Sequence, residues 1–171
     1  MAYDGRCSTN LWRGAGVGLL AGIAGAYAMD LFQAFLGGLS SGGGSRQENS
    51  GQQPASSEPA TVKAADAIAG RILSRPLEQS EKEPAGQAMH YAMGAVTGAI
   101  YGVIADALPQ AGIGAGLPLG AAVWAIADEG AVPALNLSKQ FCEYPASSHI
   151  SALLSHLVYG VTTDGVRRLI Q

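Results

Sequence analysis

The sequence predicts an all-α integral membrane protein, an antiparallel four-helix bundle with an additional amphipathic surface helix. Three observations carry this reading. Between Pro84 and Asp106 lie 21 residues with no Lys, Arg, Asp or Glu, about the ~20 that cross a ~30 Å hydrocarbon core at ~1.5 Å per residue. The chain of 171 residues is 48% hydrophobic and only 13% charged, unusual for a soluble domain of this size. Glycines recur four apart in each of the first three apolar stretches, a spacing that lets helix backbones approach closely in lipid.

The first predicted span covers 14–38. Arg6 and Arg13 precede an apolar run and Ala26-Tyr27-Ala28 resembles a cleavage site, so the start reads like a signal peptide. The apolar residues continue through Leu31, Phe32, Phe35 and Leu36, which fits a retained span better than a removed leader. Gly14, Gly18 and Gly22 form its small-residue stripe.

Residues 40–58 are rich in Gly, Ser and Gln and read as a flexible linker. They also explain a mean hydropathy of only +0.18. Residues 60–74 alternate Val62, Ala65, Ile68 and Ile72 with Lys63, Asp66 and Arg71 at helical period, too short and too charged to span. This is the expected surface helix.

The second span, 85–106, places His90, Gly94, Gly98 and Gly102 on one stripe. Leu108-Pro109 makes a turn, because proline cannot continue the helix. The third span is read as 112–132, with Gly112, Gly116 and Gly120 four apart, a kink at Pro118 and a break at Pro133. The fourth, 146–164, contains His149 and His156 and ends before Arg167 and Arg168. Four spans put both termini on one side. A plain count of Lys and Arg favours the other side as cytoplasmic, but Arg6, Arg13, Arg167 and Arg168 lie closest to the span ends, and the sequence is read as termini-in.

Tyr101-Gly102-Val103-Ile-Ala-Asp106 is echoed by Tyr159-Gly160-Val161-Thr-Thr-Asp164, four identities in six positions. A duplicated helical hairpin and chance similarity both account for it.

Placing side chains by depth brings Asp30, His90, Asp128, Glu129 and His149 into the same half of the bilayer, with His156 near its middle. Ionisable groups there are costly unless paired. Carboxylates with imidazoles can relay protons or hold a cation. The competing reading is structural, with His90 and Asp128 satisfying each other between helices. Glu129, about 100° from Asp128 on a helix, is expected to face the water-side loops.

The metal question stays open, since no fixed-spacing ligand motif is present. No cofactor is expected. Cys7 and Cys142 form no CxxC pair, and the bundle topology sets them on opposite faces. A net charge of −3 without a basic run disfavours nucleic acid as a partner. Ser147, Ser148, Ser151 and Ser155 lack a nucleophile elbow, so no enzyme is expected. The expected partners are the lipid bilayer and either further copies of the chain or a larger membrane complex.

Ala64-Ala65-Asp66-Ala67-Ile68, His90-Tyr91, Ala127-Asp128-Glu129 with Val132-Pro133, Tyr144-Pro145, and His156-Leu157-Val158-Tyr159-Gly160 before Arg167-Arg168 resemble the YagU-like bacterial inner-membrane proteins, a domain family of unknown function. The resemblance covers roughly residues 10–35 and 60–170. It implies a multi-pass cytoplasmic-membrane protein and no particular reaction. The expected function is proton or cation handling or sensing in envelope or acid stress; the alternative is a non-catalytic accessory subunit.

Overall fold

The computed structural model describes residues 6–40, 58–137 and 145–171, and among them every regular element is helical. The predicted linker falls almost wholly outside these residues, as does Cys142.

Helix α1 runs Arg6–Ser40, α2 runs Ala60–Ile72 and α3 runs Gln79–Ala107. The last starts earlier than the uncharged stretch because Glu78 and Glu81 form a capping box, which satisfies backbone donors at the helix start. Arg75 grips both Glu81 oxygens at 2.7 and 2.8 Å, and those bonds hold its guanidinium above its ordinary pKa. Leu108, extended before Pro109, ends α3.

A 3-10 turn, Pro109–Gly112, leads to a bend in which Gly114, Ala115 and Gly116 all have positive φ. Helix α4 therefore begins at Leu117 and runs Leu117–Val123, not from residue 112 as the glycine spacing suggests. Pro118 occupies the first turn, where a missing N–H is tolerated, and it produces no mid-helix kink. The chain then widens into a π-helical segment, Trp124–Ala131, and closes with an α turn, Val132–Ala134. Pro133 lies inside that turn and does not break it. Helix α5 runs Ala146–Ile170.

Helix α1 is central, packed on α3 and α5, while α2 covers α3 and α4 packs on α5. The glycine stripes make the α1/α3 contact. A Cβ placed on Gly98 would fall 2.6 Å from Gly22 Cα and closer still to the Gly18 carbonyl. Gly14 faces Gly102, and Gly22 faces Gly94. Gly116 and Gly120 instead approach Gly160 and the His156 carbonyl on α5, and Gly112 lies in the turn beside Arg168. The third stripe therefore serves α5, not the α1/α3 seam.

The sequence echo has a packing counterpart. A Cβ on Gly102 would meet Gly18 Cα at 2.9 Å and, more closely, the Gly14 carbonyl; a Cβ on Gly160 would meet Gly120 Cα at 2.9 Å and, more closely, the Gly116 carbonyl. Gly102 thus sits on a Gly-xxx-Gly pair within α1, and Gly160 on Gly116, the N-cap of α4, and Gly120 within it, close approaches that only a missing side chain permits.

Polarity departs from the water-soluble pattern, with ionisable groups sharing the interior with small apolar residues such as Ala21, Ala26 and Val62. Asp30, Ser155, His156, Thr163, Asp164 and Arg167 are buried, while Leu20, Tyr27, Phe35, Val96, Ile100, Ile126 and Leu154 are exposed. The spans Leu11–Leu39 and Gln79–Ala107 are long and apolar enough to cross a membrane.

Candidate functional site

Asp30, buried near the end of the apolar part of α1, is held by one face of α3. Its Oδ2 accepts from Gln87 Nε2 at 2.8 Å and from Tyr91 Oη at 2.9 Å, and its Oδ1 lies 3.1 Å from His90 Nε2. Residues 87, 90 and 91 converge because positions three and four apart share a helix face. His90 and Tyr91 stack edge to face, with ring centroids 5.6 Å apart.

The second and third acid–imidazole pairs lie between the π segment and α5. Glu129 Oε1 is 2.7 Å from His149 Nδ1, and Asp128 Oδ2 is 3.6 Å from His156 Nδ1. His156 Nδ1 also lies 2.9 Å from the Ala152 carbonyl. His149 and His156 are two turns apart on one face of α5. The wider π helix turns consecutive residues through a smaller angle than an α-helix does. Asp128 and Glu129 both reach α5 in consequence, and Glu129 does not face away.

The depth relation follows from the contacts. Tyr159 Oη donates to the Gly94 carbonyl at 2.8 Å, so Tyr159 and Gly94 share a level; His156 and His90 each stand about one turn beyond it. His90 therefore pairs with Asp30, and Asp128 with His156, at neighbouring positions. The His90–Asp128 pairing weighed from sequence does not form.

A second polar group occupies the opposite end. Asp164, 1% exposed, accepts from Tyr101 Oη at 2.8 Å, Arg167 Nη2 at 3.1 Å and Arg168 Nε at 2.8 Å. Arg167 lies 3.8 Å from Asp106 and 5.6 Å above the centre of the Tyr101 ring. Arg168 also donates to the Gly112 carbonyl. Gln171 Nε2 donates to Asp106 at 2.6 Å, and Arg13 donates to the Gln171 carbonyl at 2.9 Å. An open cleft of about 690 Å³ adjoins this network.

The sequence reading missed Gln87 and Tyr91 as partners of Asp30, although their spacing around His90 carries the signal. It also left Tyr101 and Asp164 outside the site; the repeated Tyr-to-Asp endings mark them. Among the described residues, no three His, Cys, Asp or Glu gather closely enough to hold a metal ion. Ser155 donates to the Ser151 carbonyl at 2.9 Å, its own helix backbone.

Helices with an apolar exterior around buried acid–imidazole and acid–guanidinium pairs define a small all-α protein with an ionisable core. The chain belongs to the family of proteins of unknown function DUF1440, whose model matches residues 75–165. That span holds five of the six cluster residues, with Asp30 on the preceding helix. Searches of curated proteins and of solved structures return no match.

Proposed function

We propose that this is a multi-pass protein of the bacterial inner membrane, a YagU-like four-span bundle whose acid–imidazole cluster takes up and releases protons or a cation, handling or sensing them in envelope or acid stress. The observation that carries the reading is the set of ionisable groups held under an apolar exterior, with three imidazole–carboxylate pairs toward one end of the helices. Each carboxylate sits beside an imidazole, so uptake of a proton or of a cation changes the net charge of the pair in a low-dielectric setting where it matters most. The protein is not an enzyme in this reading.

The test is histidine titration by NMR on protein in nanodiscs. The histidines are followed between about pH 5 and 8, and Asp30→Asn, Asp128→Asn and Glu129→Gln should each alter the curve of their own partner. Imidazoles that hold one protonation state across this range, with no response to added cations, would sink the proposal.

The second reading is a non-catalytic accessory subunit, favoured by the exposed apolar faces of α1 and α3. Native gels with mass spectrometry on mildly solubilised membranes separate the two: a constant larger partner supports the subunit reading, and a homo-oligomer keeps the first.

A further inference from the structure

We propose that the polar core along α5 is a hydrated path that conducts protons from the acid–imidazole cluster to the Asp164–Asp106 end. The proposal rests on the membrane reading above and names the proton, rather than a metal cation, as the species handled.

The first support is the make-up of α5. Its buried residues are Ser155, His156, Tyr159, Gly160, Thr163, Asp164 and Arg167, all polar apart from one glycine. From Ser155 to Arg167 this buried polar face advances about 18 Å at ~1.5 Å per residue, and the partly buried His149 continues it toward the other end of the helix.

The second support is independent. Among the described residues, the buried side-chain polar atoms left without a hydrogen-bond partner include Thr163 Oγ1 and Arg167 Nε, both on the polar face of α5. Unpaired buried polar atoms are rare and call for a water or an ion, and a buried water typically satisfies about three such groups. Thr163 is completely buried and lies one turn from both Tyr159 and Arg167. Its hydroxyl can accept and donate beside Asp164, between the levels of Tyr159 and Arg167.

Both ends give access. His149 and Glu129 are partly exposed, and the inner cleft is lined by Asp106, Arg167, Arg168 and Gln171. The ligand set favours the proton over a metal cation: among the described residues no three His, Cys, Asp or Glu gather closely enough to hold a metal ion. A proton needs no passage of a particle: each hop breaks one N–H or O–H bond as the next one forms, so one proton enters for each that leaves.

The experiment is proton flux into phosphatidylethanolamine/phosphatidylglycerol liposomes, read by an enclosed pH dye under a potassium–valinomycin potential. Wild-type protein should conduct well above protein-free liposomes. Thr163→Val should lower the flux about tenfold or more, as expected for loss of a proton-transfer group, while Thr163→Ser keeps it. Lipid-facing Leu154→Ile should conduct like wild type. Should Thr163→Val fail to fold, Tyr159→Phe reads out the same path with the ring retained. Flux no greater than in empty liposomes overturns the proposal, as does equal flux in folded Thr163→Val and wild type. Sodium flux through the wild type that Thr163→Val abolishes overturns the choice of ion. Histidine titration in the same liposomes separates the two readings: imidazoles that titrate without flux leave the function above standing and end conduction alone.

Discussion

Asp164 shows what a buried charge demands at the scale of one residue. Tyr101, Arg167 and Arg168 all bond to it, so the carboxylate is compensated while the arginines in turn depend on it. Replacing Asp164 with Asn removes the charge and leaves two guanidinium groups facing a neutral amide. Breaking a buried pair from one side costs about 3–5 kcal/mol, and thermal unfolding in detergent should show a loss of that order. Asp106→Asn, on a more exposed carboxylate, should cost no more than about 1 kcal/mol. Equal losses for the two would mean that the Asp164 network is not where the end of the bundle is held. Glu129 carries a second residue-scale expectation. Its contact with His149 is shorter than that of Asp128 with His156, so Glu129→Gln should destabilise at least as much as Asp128→Asn in the same assay. The six cluster positions were legible in the sequence because charge in an apolar segment stands out. Their pairing was not, since it depends on which helix faces meet and on a π turn that rotates Glu129 toward α5.

At the scale of elements, the α1/α3 seam is set by missing side chains. Gly98→Ala would place a methyl against the Gly22 backbone at 2.6 Å, and backbone cannot yield as a flexible side chain would. Separating the helices should cost about 1–3 kcal/mol or more, the range for overpacking. Gly37 lies in the same α1 with nothing within 4 Å of a built Cβ. Gly37→Ala should therefore be neutral or stabilise by up to about 1 kcal/mol, as glycine is a poor helix former. Unfolding of both variants in mixed micelles checks the contrast, and a Gly98→Ala protein as stable as wild type would show that the seam relaxes freely. The long helices α1, α3 and α5 and the amphipathic α2 were readable from apolar runs and period. The start of α4 was not. Glycines four apart serve both a helix stripe and left-handed turns, and here Gly114 and Gly116 supply positive φ while Gly116 still packs on Gly160. Spacing alone cannot separate those uses.

For the whole molecule, the contacts fix which helix ends lie together. Arg13 near the start of α1 bonds to Gln171 after α5, and Gln171 bonds to Asp106 at the end of α3. Those three ends therefore share one face, with the turn before α4 beside them through Arg168 and Gly112. The N-terminal part of α3 and the closing turn after the π segment lie at the other face. Helix α2 is there too, because Gly86 packs against Val62. If the apolar exterior is lipid-facing, each face meets its own aqueous compartment. Ile113, Leu169, Ile72 and Leu135 are all well exposed, and single cysteines at these positions, with Cys7 and Cys142 replaced by serine, report the side directly. A membrane-impermeant maleimide should label positions 113 and 169 together and positions 72 and 135 together, never one from each pair alone. If the arginines beside the first face set it in the cytoplasm, as the termini-in reading of the sequence expects, 113 and 169 should react only in inverted vesicles. Ile100→Arg, on the exposed side of α3, should in parallel reduce membrane insertion, since arginine at mid-span is opposed by about 2.5–3.5 kcal/mol. Labelling of 135 and 169 from one side in sealed vesicles, with Ile100→Arg inserted as well as wild type, would remove the membrane-spanning reading and with it any path between two compartments.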